Sequence, residues 1–287
     1  MAQVSKKTIK IKGTLLDLSI PRVMGILNVT PDSFYSESRM VSMDAVMEKA
    51  GQMQEDGALF IDIGGYSTRP GAKEVSITEE TDRVVPVVEQ LNKNFPELII
   101  SVDTFRSEVA RQSILSGAHV INDVSGGTLD EKMFDTVAVL GVPYILMHMR
   151  GTPKTMSKLT DYEFLVPDIL KELQEKLILL RQKGVSDVIV DPGFGFAKTS
   201  SQNFTLMNNL SEFYLLGCPL LVGISRKGMI YNTLNGTAEE ALNGTTVLNT
   251  ISLLQGASIL RVHDVKPATE AIKLCMTTSG VTEKIVI

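Results

Sequence analysis

Arg261 and His263 lie two residues apart, so in a strand their side chains point the same way. A guanidinium beside an imidazole suits an anion such as phosphate. Taken alone, the pair is more readily an arginine satisfied by a structural carboxylate and a histidine satisfied in the core. Gly223-Ile224-Ser225-Arg226-Lys227-Gly228 sets a glycine and a hydroxyl before two cations, with a helix expected soon after. Helix N-termini attract carboxylates and phosphates. Against these cations stand Asp62, Asp103, Asn122 and Asp191, each at the end of an apolar run. Buried carboxylates are costly unless paired or hydrogen-bonded, which makes Lys227 and Arg261 their candidate partners. A flat heterocycle with an N–H/NH2 edge is another, because one carboxylate accepts both donors. The histidines (His119, His148, His263) are dispersed and no Cys-x-x-Cys pattern exists, which argues against zinc. A magnesium ion carried by a phosphorylated ligand needs only one or two protein oxygens.

Eight short apolar runs must position these groups. The run 23–27 ends in Asn28, 59–61 in Asp62, 99–102 in Asp103 and 120–121 in Asn122. The run 144–147 ends in His148, 188–190 in Asp191, 221–224 in Ser225 and 259–260 in Arg261. Helical patterns lie between them: Val46, Ala50 and Met53 share a face, as do Val84, Val88 and Leu91 around a kinking Pro86. Val166, Leu170, Leu173, Leu177 and Leu180 form a longer stripe. Eightfold alternation predicts an α/β fold, a single (β/α)8 TIM barrel whose strand ends converge on one rim. Phosphate sites recur near the last two strands of such barrels, which favours the anion reading of Arg261 and His263. Residues 8–20 alternate Ile9 and Ile11 with Lys10 and Lys12 before Gly13, and read as a short N-terminal β-hairpin capping the barrel bottom. Residues 1–287 are thus expected to form one domain, with 1–20 as the hairpin extension. The loops 30–41 and 64–77 are long and rich in Gly, Pro and Ser, as functional lids are.

The 287 residues are 44% hydrophobic, enough for one large core, and carry a net charge of −5 with no basic tail. That argues against nucleic-acid binding. No run approaches the roughly 18 apolar residues of a membrane span. The first seven residues have no apolar stretch behind them, so a signal peptide is not expected. Two cysteines without metal spacing fit a cytoplasmic protein with reduced thiols.

The chain resembles the dihydropteroate synthases of folate biosynthesis. The matching stretches are Gly25-Ile26-Leu27-Asn28-Val29-Thr30-Pro31-Asp32-Ser33-Phe34, Asp62-Ile63-Gly64-Gly65, Ser67-Thr68-Arg69-Pro70-Gly71 and Ser101-Val102-Asp103-Thr104. They continue through Ile121-Asn122-Asp123-Val124-Ser125-Gly126-Gly127, Met147-His148-Met149-Arg150-Gly151 and Asp191-Pro192-Gly193-Phe194-Gly195-Phe196 to Ser225-Arg226-Lys227 and Arg261-Val262-His263-Asp264-Val265. The resemblance implies a transferase that condenses 6-hydroxymethyl-7,8-dihydropterin diphosphate with para-aminobenzoate by a dissociative substitution, with magnesium required. It implies that Asp103, Asn122, Asp191, Lys227, Met147 and Gly223 hold the pterin, and that Asn28, Arg69, Arg261 and His263 hold the diphosphate, Asn28 lying near the metal. Thr68, Arg69, Pro70, Phe196, Ser225 and Lys227 would bind para-aminobenzoate or competing sulfonamides. Arg261, His263, Lys227 and Asp103 would be the catalytic set, in a homodimer.

The chain departs from the family pattern at Tyr35-Ser36-Glu37-Ser38, at Tyr66, where glutamate is common, and at Gly228, where a larger residue is frequent. Two rivals remain open. A corrinoid-dependent methyltransferase also binds pterins on a related barrel, but needs neither the Ser67-Thr68-Arg69-Pro70 lid nor Arg261 and His263. A pterin-binding module without turnover would not need all of Asn28, Asp103, Lys227, Arg261 and His263.

Overall fold

The computed structural model describes residues 7–29, 39–66 and 74–280. Each apolar run forms a strand: β3 (Arg22–Asn28), β4 (Ala58–Gly64), β5 (Ile99–Asp103), β6 (Val120–Asp123), β7 (Tyr144–Met147), β8 (Val188–Asp191), β9 (Leu221–Val222) and β10 (Ile259–Val262). All eight pair in parallel, in the order β8-β7-β6-β5-β4-β3-β10-β9. A single parallel bridge, Val190 to Leu220, joins the two ends of the sheet, and the Val190 N–H donates to Pro219 O at 2.9 Å. The expected barrel is therefore observed. Ser101 stands opposite Val120, and Asn122 opposite Ile145, so the rim is staggered as barrel closure demands.

The strands are apolar on both faces because each face meets a different layer. Val23, Ile61, Ile100, Ile121, Leu146, Val190, Val222 and Leu260 look outward into one large core shared with the helices. Those helices are α1 (Arg39–Glu55), α2 (Ile77–Asn94), α3 (Ser107–Leu115), α4 (Met133–Leu140), α5 (Leu165–Gln182), α6 (Ser200–Asn208), α7 (Gly228–Thr233), α8 (Leu242–Leu254) and α9 (Val265–Thr278). Helix α1 reaches back to Arg39, so the expected loop 30–41 is shorter than its composition suggests. Helix α2 runs through Pro86. Pro86 and Asp82 are both exposed, so water can take the carbonyl bond that proline leaves unmade.

Alternate residues look inward. Met24, Phe60, Ile99, Val120, Ile145, Ile189, Leu221 and Ile259, one from each strand, form a second apolar cluster filling the barrel's lower half. Ile9, Ile11 and Leu18 close it from below. Ile9 and Ile11 lie in β1 (Thr8–Ile11) of the expected hairpin and Leu18 directly follows its β2 (Thr14–Asp17), the two strands turned by Lys12 and Gly13 at φ 53° and 77°. Two successive positive φ angles match the twist of a two-residue hairpin turn.

This plug sets the floor under everything above it. Phe60 is fully buried within it. Phe60→Ala should cost about 3–5 kcal/mol of stability, read as a drop in the denaturant midpoint. An unchanged midpoint would contradict the sealed floor.

Candidate active site

Strand alternation places the next inward residues two positions beyond the plug: Ile26, Asp62, Ser101, Asn122, Met147, Asp191, Gly223 and Arg261. A closed apolar layer thus gives way to a polar one within one repeat. Two positions further come Asn28, Gly64, Asp103, Ser225 and His263 at the mouth.

The polar layer is tied together by one guanidinium. Arg261 donates from Nε to Asp62 Oδ2 at 2.6 Å and from Nη2 to Asp103 Oδ2 at 2.7 Å. The fully buried Asp62 also accepts from Ser101 Oγ at 2.6 Å and from Asn122 Nδ2 at 2.9 Å. Asp62 therefore orients both Arg261 and the Asn122 amide. Arg261 is the structural partner foreseen for the acidic set, while still reaching the mouth. Burial raises the Asp103 carboxyl to about 7; Arg261 opposes the rise and Asp62 adds to it. Burial makes charge harder to carry on the guanidinium, but Asp62 and Asp103 outweigh it and push its pKa up.

Two glycines show that one cavity gathers the rest. A Cβ placed on Gly223 would lie 3.9 Å from both Arg261 Cδ and Asp191 Oδ2. A Cβ on Gly64 would lie 3.5 Å from Asn28 Oδ1 and 4.0 Å from Asp103 Oδ2. Asn28, Gly64 and Asp103 share one rung of the sheet. Asn28, Asp103, Arg261 and Asp191 thus face a single space.

Asp191 Oδ1 accepts the Gly193 N–H at 2.7 Å. Burial raises its carboxyl, against the pull of that bond and of Lys227, Arg261 and Lys198. Gly193 has φ +72°, and a Cβ there would meet His148 O at 2.0 Å, so no side chain fits. Lys227 crosses the mouth to donate to Phe194 O, with its ammonium 4.2 Å from the Phe196 ring centre. Burial lowers Lys227 to about 8, with Asp191 opposing. Met147 joins Val124, Met149, Met156 and Ala197 in a small apolar cluster against which Phe196 packs. That gives the mouth one greasy wall suited to a flat ring.

Ser225 is buried and turned inward: its Oγ lies 3.0 Å from His263 Nδ1 and accepts the His263 backbone N–H at 3.2 Å. Arg226, foreseen beside Lys227 as part of an anion site, instead pairs with Asp264 at 2.9 and 2.6 Å and leaves the mouth. Its φ of +56° turns the chain there. Thr68, Arg69 and Pro70 lie outside the described residues. Tyr66, just before them, meets Phe105 edge-on at 5.2 Å, with the Arg106 guanidinium 5.3 Å from its ring centre.

Strand reading alone does not find a second network under the β8 loop. The buried Lys198 ammonium contacts Gly193 O, Phe196 O and His148 Nδ1, each at 3.0 Å. His148 Nε2 lies 3.1 Å from Glu172 Oε2, and Glu172 Oε1 accepts from Arg150 Nε at 2.9 Å. Burial lowers His148 to about 4, so the ring is neutral at pH 7. Lys198 ends the stretch that begins at Asp191, and only that adjacency could have flagged it.

Among the described residues, no group of three or more His, Cys, Asp or Glu could hold a metal. The Asn28 amide oxygen at the mouth offers one oxygen ligand of the kind magnesium accepts.

The sequence pattern of a family described as pterin binding enzymes matches residues 24–263. A dihydropteroate synthase of Escherichia coli (strain K12) is 45% identical over 275 residues, covering 95% of this chain and 96% of its own. A Yersinia pestis dihydropteroate synthase solved in complex with a sulfonamide drug superposes with a TM-score of 0.88 at 43% identity, over 95% of this chain and 99% of that one. A Xanthomonas albilineans dihydropteroate synthase with 4-aminobenzoic acid gives 0.87 at 36% identity, over 97% and 100%. A match running from the first barrel strand to the last rim residue, with relatives this similar over nearly their full length, makes this chain a member of the pterin-binding enzyme family, among the dihydropteroate synthases.

Proposed function

We propose that this chain condenses 6-hydroxymethyl-7,8-dihydropterin diphosphate with para-aminobenzoate, giving 7,8-dihydropteroate and pyrophosphate. The observation that carries the reading is the polar layer seated on an apolar floor, where Asp62, Asp103, Asn122 and Asp191 are interleaved with Arg261 and Lys227. A pterin presents an N–H/NH2 edge that one carboxylate can accept whole. Asp191 supplies that carboxylate, held by the Gly193 N–H. Asn122, oriented by one amide N–H donated to Asp62, supplies its amide oxygen. Asp103, Met147, Gly223 and Lys227 complete the pterin slot.

The leaving group is a multiply charged anion, so catalysis needs positive charge where negative charge grows. Arg261 and His263 occupy that end of the mouth, with Arg69 assigned there from chain order. Magnesium bound to the diphosphate would neutralise part of its charge, with the Asn28 amide oxygen as a protein ligand. The electron-rich pterin can spread the charge left on its methylene, so C–O cleavage precedes capture by the aryl amine. An aniline nitrogen is unprotonated at neutral pH, and no strong general base is required. Lys227 and Phe196 form the described part of the para-aminobenzoate site, which Thr68, Arg69 and Pro70 would complete. Ser225 acts there through His263. Sulfonamides would compete at this place.

The chain would act as one domain in a cytoplasmic homodimer. Cys218 and Cys275 carry thiols and are not joined in a disulfide, which fits a reducing compartment. Leu242, Val247 and Leu254 of α8 and Leu274 of α9 expose large apolar side chains that a second copy would cover.

Release of pyrophosphate on mixing pterin diphosphate, para-aminobenzoate and magnesium tests the reaction, and silence in that assay sinks it. Asp191→Ala should weaken pterin diphosphate binding at least about 100-fold, since two donors lose their acceptor. Near-normal affinity by calorimetry would remove Asp191 from the site. Lys227 is a cation below about 8 and neutral above it. Affinity for the para-aminobenzoate carboxylate should therefore fall as pH rises through that value, and Lys227→Gln should abolish the fall. A profile that still falls near 8 in the variant would assign the cation elsewhere.

A further inference from the structure

We propose that Lys198 is a positioning residue for the para-aminobenzoate half of the site, locking the turn that presents Phe196 and the Phe194 carbonyl to Lys227. The inference rests on the activity proposed above and concerns a side chain that touches neither substrate.

The turn after β8 needs a lock. Gly193, Gly195 and Ala197 all have positive φ, at 72°, 78° and 48°. For Ala197 that conformation carries a steric cost, so surrounding contacts must hold it. Within this stretch the Gly193 N–H orients Asp191, the Phe194 carbonyl receives Lys227, and the Phe196 ring lies beneath that same ammonium. Three site groups thus depend on one short stretch of unusual backbone.

Lys198 supplies the lock with full stoichiometry. A lysine ammonium has three N–H donors. The three acceptors are Gly193 O and Phe196 O, at the two ends of the turn, and His148 Nδ1 beneath it, each at 3.0 Å. For Nδ1 to accept, the imidazole proton sits on Nε2, where it donates to Glu172 Oε2 at 3.1 Å. Glu172 is fixed in turn by Arg150, which donates from Nη1 to Asp161 O at 2.6 Å and lies 3.9 Å from the Tyr162 ring centre. Tyr162 returns to the turn from outside, donating from its hydroxyl to Ala197 O at 2.9 Å. The chain Arg150, Glu172, His148, Lys198 thus ties helix α5 and the β7 loop to the β8 turn.

The lock titrates. Burial lowers Lys198 to about 7. Asp191 and Glu172 raise it, while Lys227 and Arg150 lower it. His148 is neutral, and Lys176 of α5 also faces this side of the network. Loss of the proton leaves two donors for three acceptors, so the turn loosens as pH rises through about 7.

The pterin half shares this dependence only through the Gly193 N–H that reaches Asp191, and its other supports lie in the strands. Asn122 is held by Asp62, and Asp191 stands at the end of the β7–β8 ladder. Lys198→Met keeps an unbranched chain one atom shorter and removes all three donors. It should raise the KM for para-aminobenzoate about tenfold or more, with the KM for pterin diphosphate within about threefold of wild type. The variant should also lose the part of the para-aminobenzoate pH profile that lies around 7 while keeping the loss near 8. Should Lys198→Met not fold, Tyr162→Phe removes only the outer tie. It should raise the same KM about threefold and leave the pterin KM alone.

A folded Lys198→Met with both KM values unchanged overturns the proposal, as does an effect confined to the pterin or an unaltered pH profile. Tyr162→Phe with wild-type KM overturns it if that variant has to stand in. Absence of turnover in the wild-type chain overturns the activity first, and this assignment with it. Turnover with an unaffected para-aminobenzoate KM overturns this assignment alone.

Discussion

One guanidinium shared by two carboxylates inside a barrel is the constraint on which the site is built. Asp62, Asp103 and Asp191 bring three acids into or beside the upper barrel, where an unpaired charge is costly. Arg261, Lys227 and Lys198 bring three cations to the same region. Arg261 spans Asp62 and Asp103 and so crosses the mouth from β10 to β4 and β5. Removing one member of such a group leaves a buried charge uncompensated, at a cost of about 3–5 kcal/mol. Fold and chemistry therefore share these side chains. A substitution at Asp62 would disturb Arg261, Ser101 and Asn122 together, though Asp62 lies at the bottom of the polar layer.

The apolar plug makes this arrangement possible. Eight inward residues and three from the hairpin close the lower barrel to water. Above this packed layer of described residues, a ligand resting on the polar layer meets protein on its underside and fixed dipoles around its edge. Hydrogen bonds in such a place are stronger than in water. The hairpin, which contributes no site residue, acts on function only through this seal.

Much of the arrangement was legible because strands have a period of two. Phe60 to Asp62, Val120 to Asn122, Ile189 to Asp191 and Ile259 to Arg261 each read as apolar floor followed by polar wall. Parity failed where the backbone left that period. Strand β9 is only two residues long, and Arg226 follows it with φ +56°, so the guanidinium expected in the mouth swings to Asp264. Lys198 was missed for a related reason. It lies beyond three positive-φ residues, where no periodicity says which way a side chain points. Ser225 was assigned to a ligand, but its hydroxyl is engaged with His263, a pairing across 38 residues that spacing cannot reveal.

The barrel has a seam. Neighbouring strands such as β4 and β5 register over five pairs, whereas β8 meets the segment before β9 through the one Val190–Leu220 bridge. Asp191 and Gly223 stand just above that join, one on each lip. Any molecule gripping both lips acts as a staple across the weakest closure of the cylinder, so its binding free energy is also cohesion of the sheet. Occupancy of the mouth and resistance to unzipping would then rise and fall together.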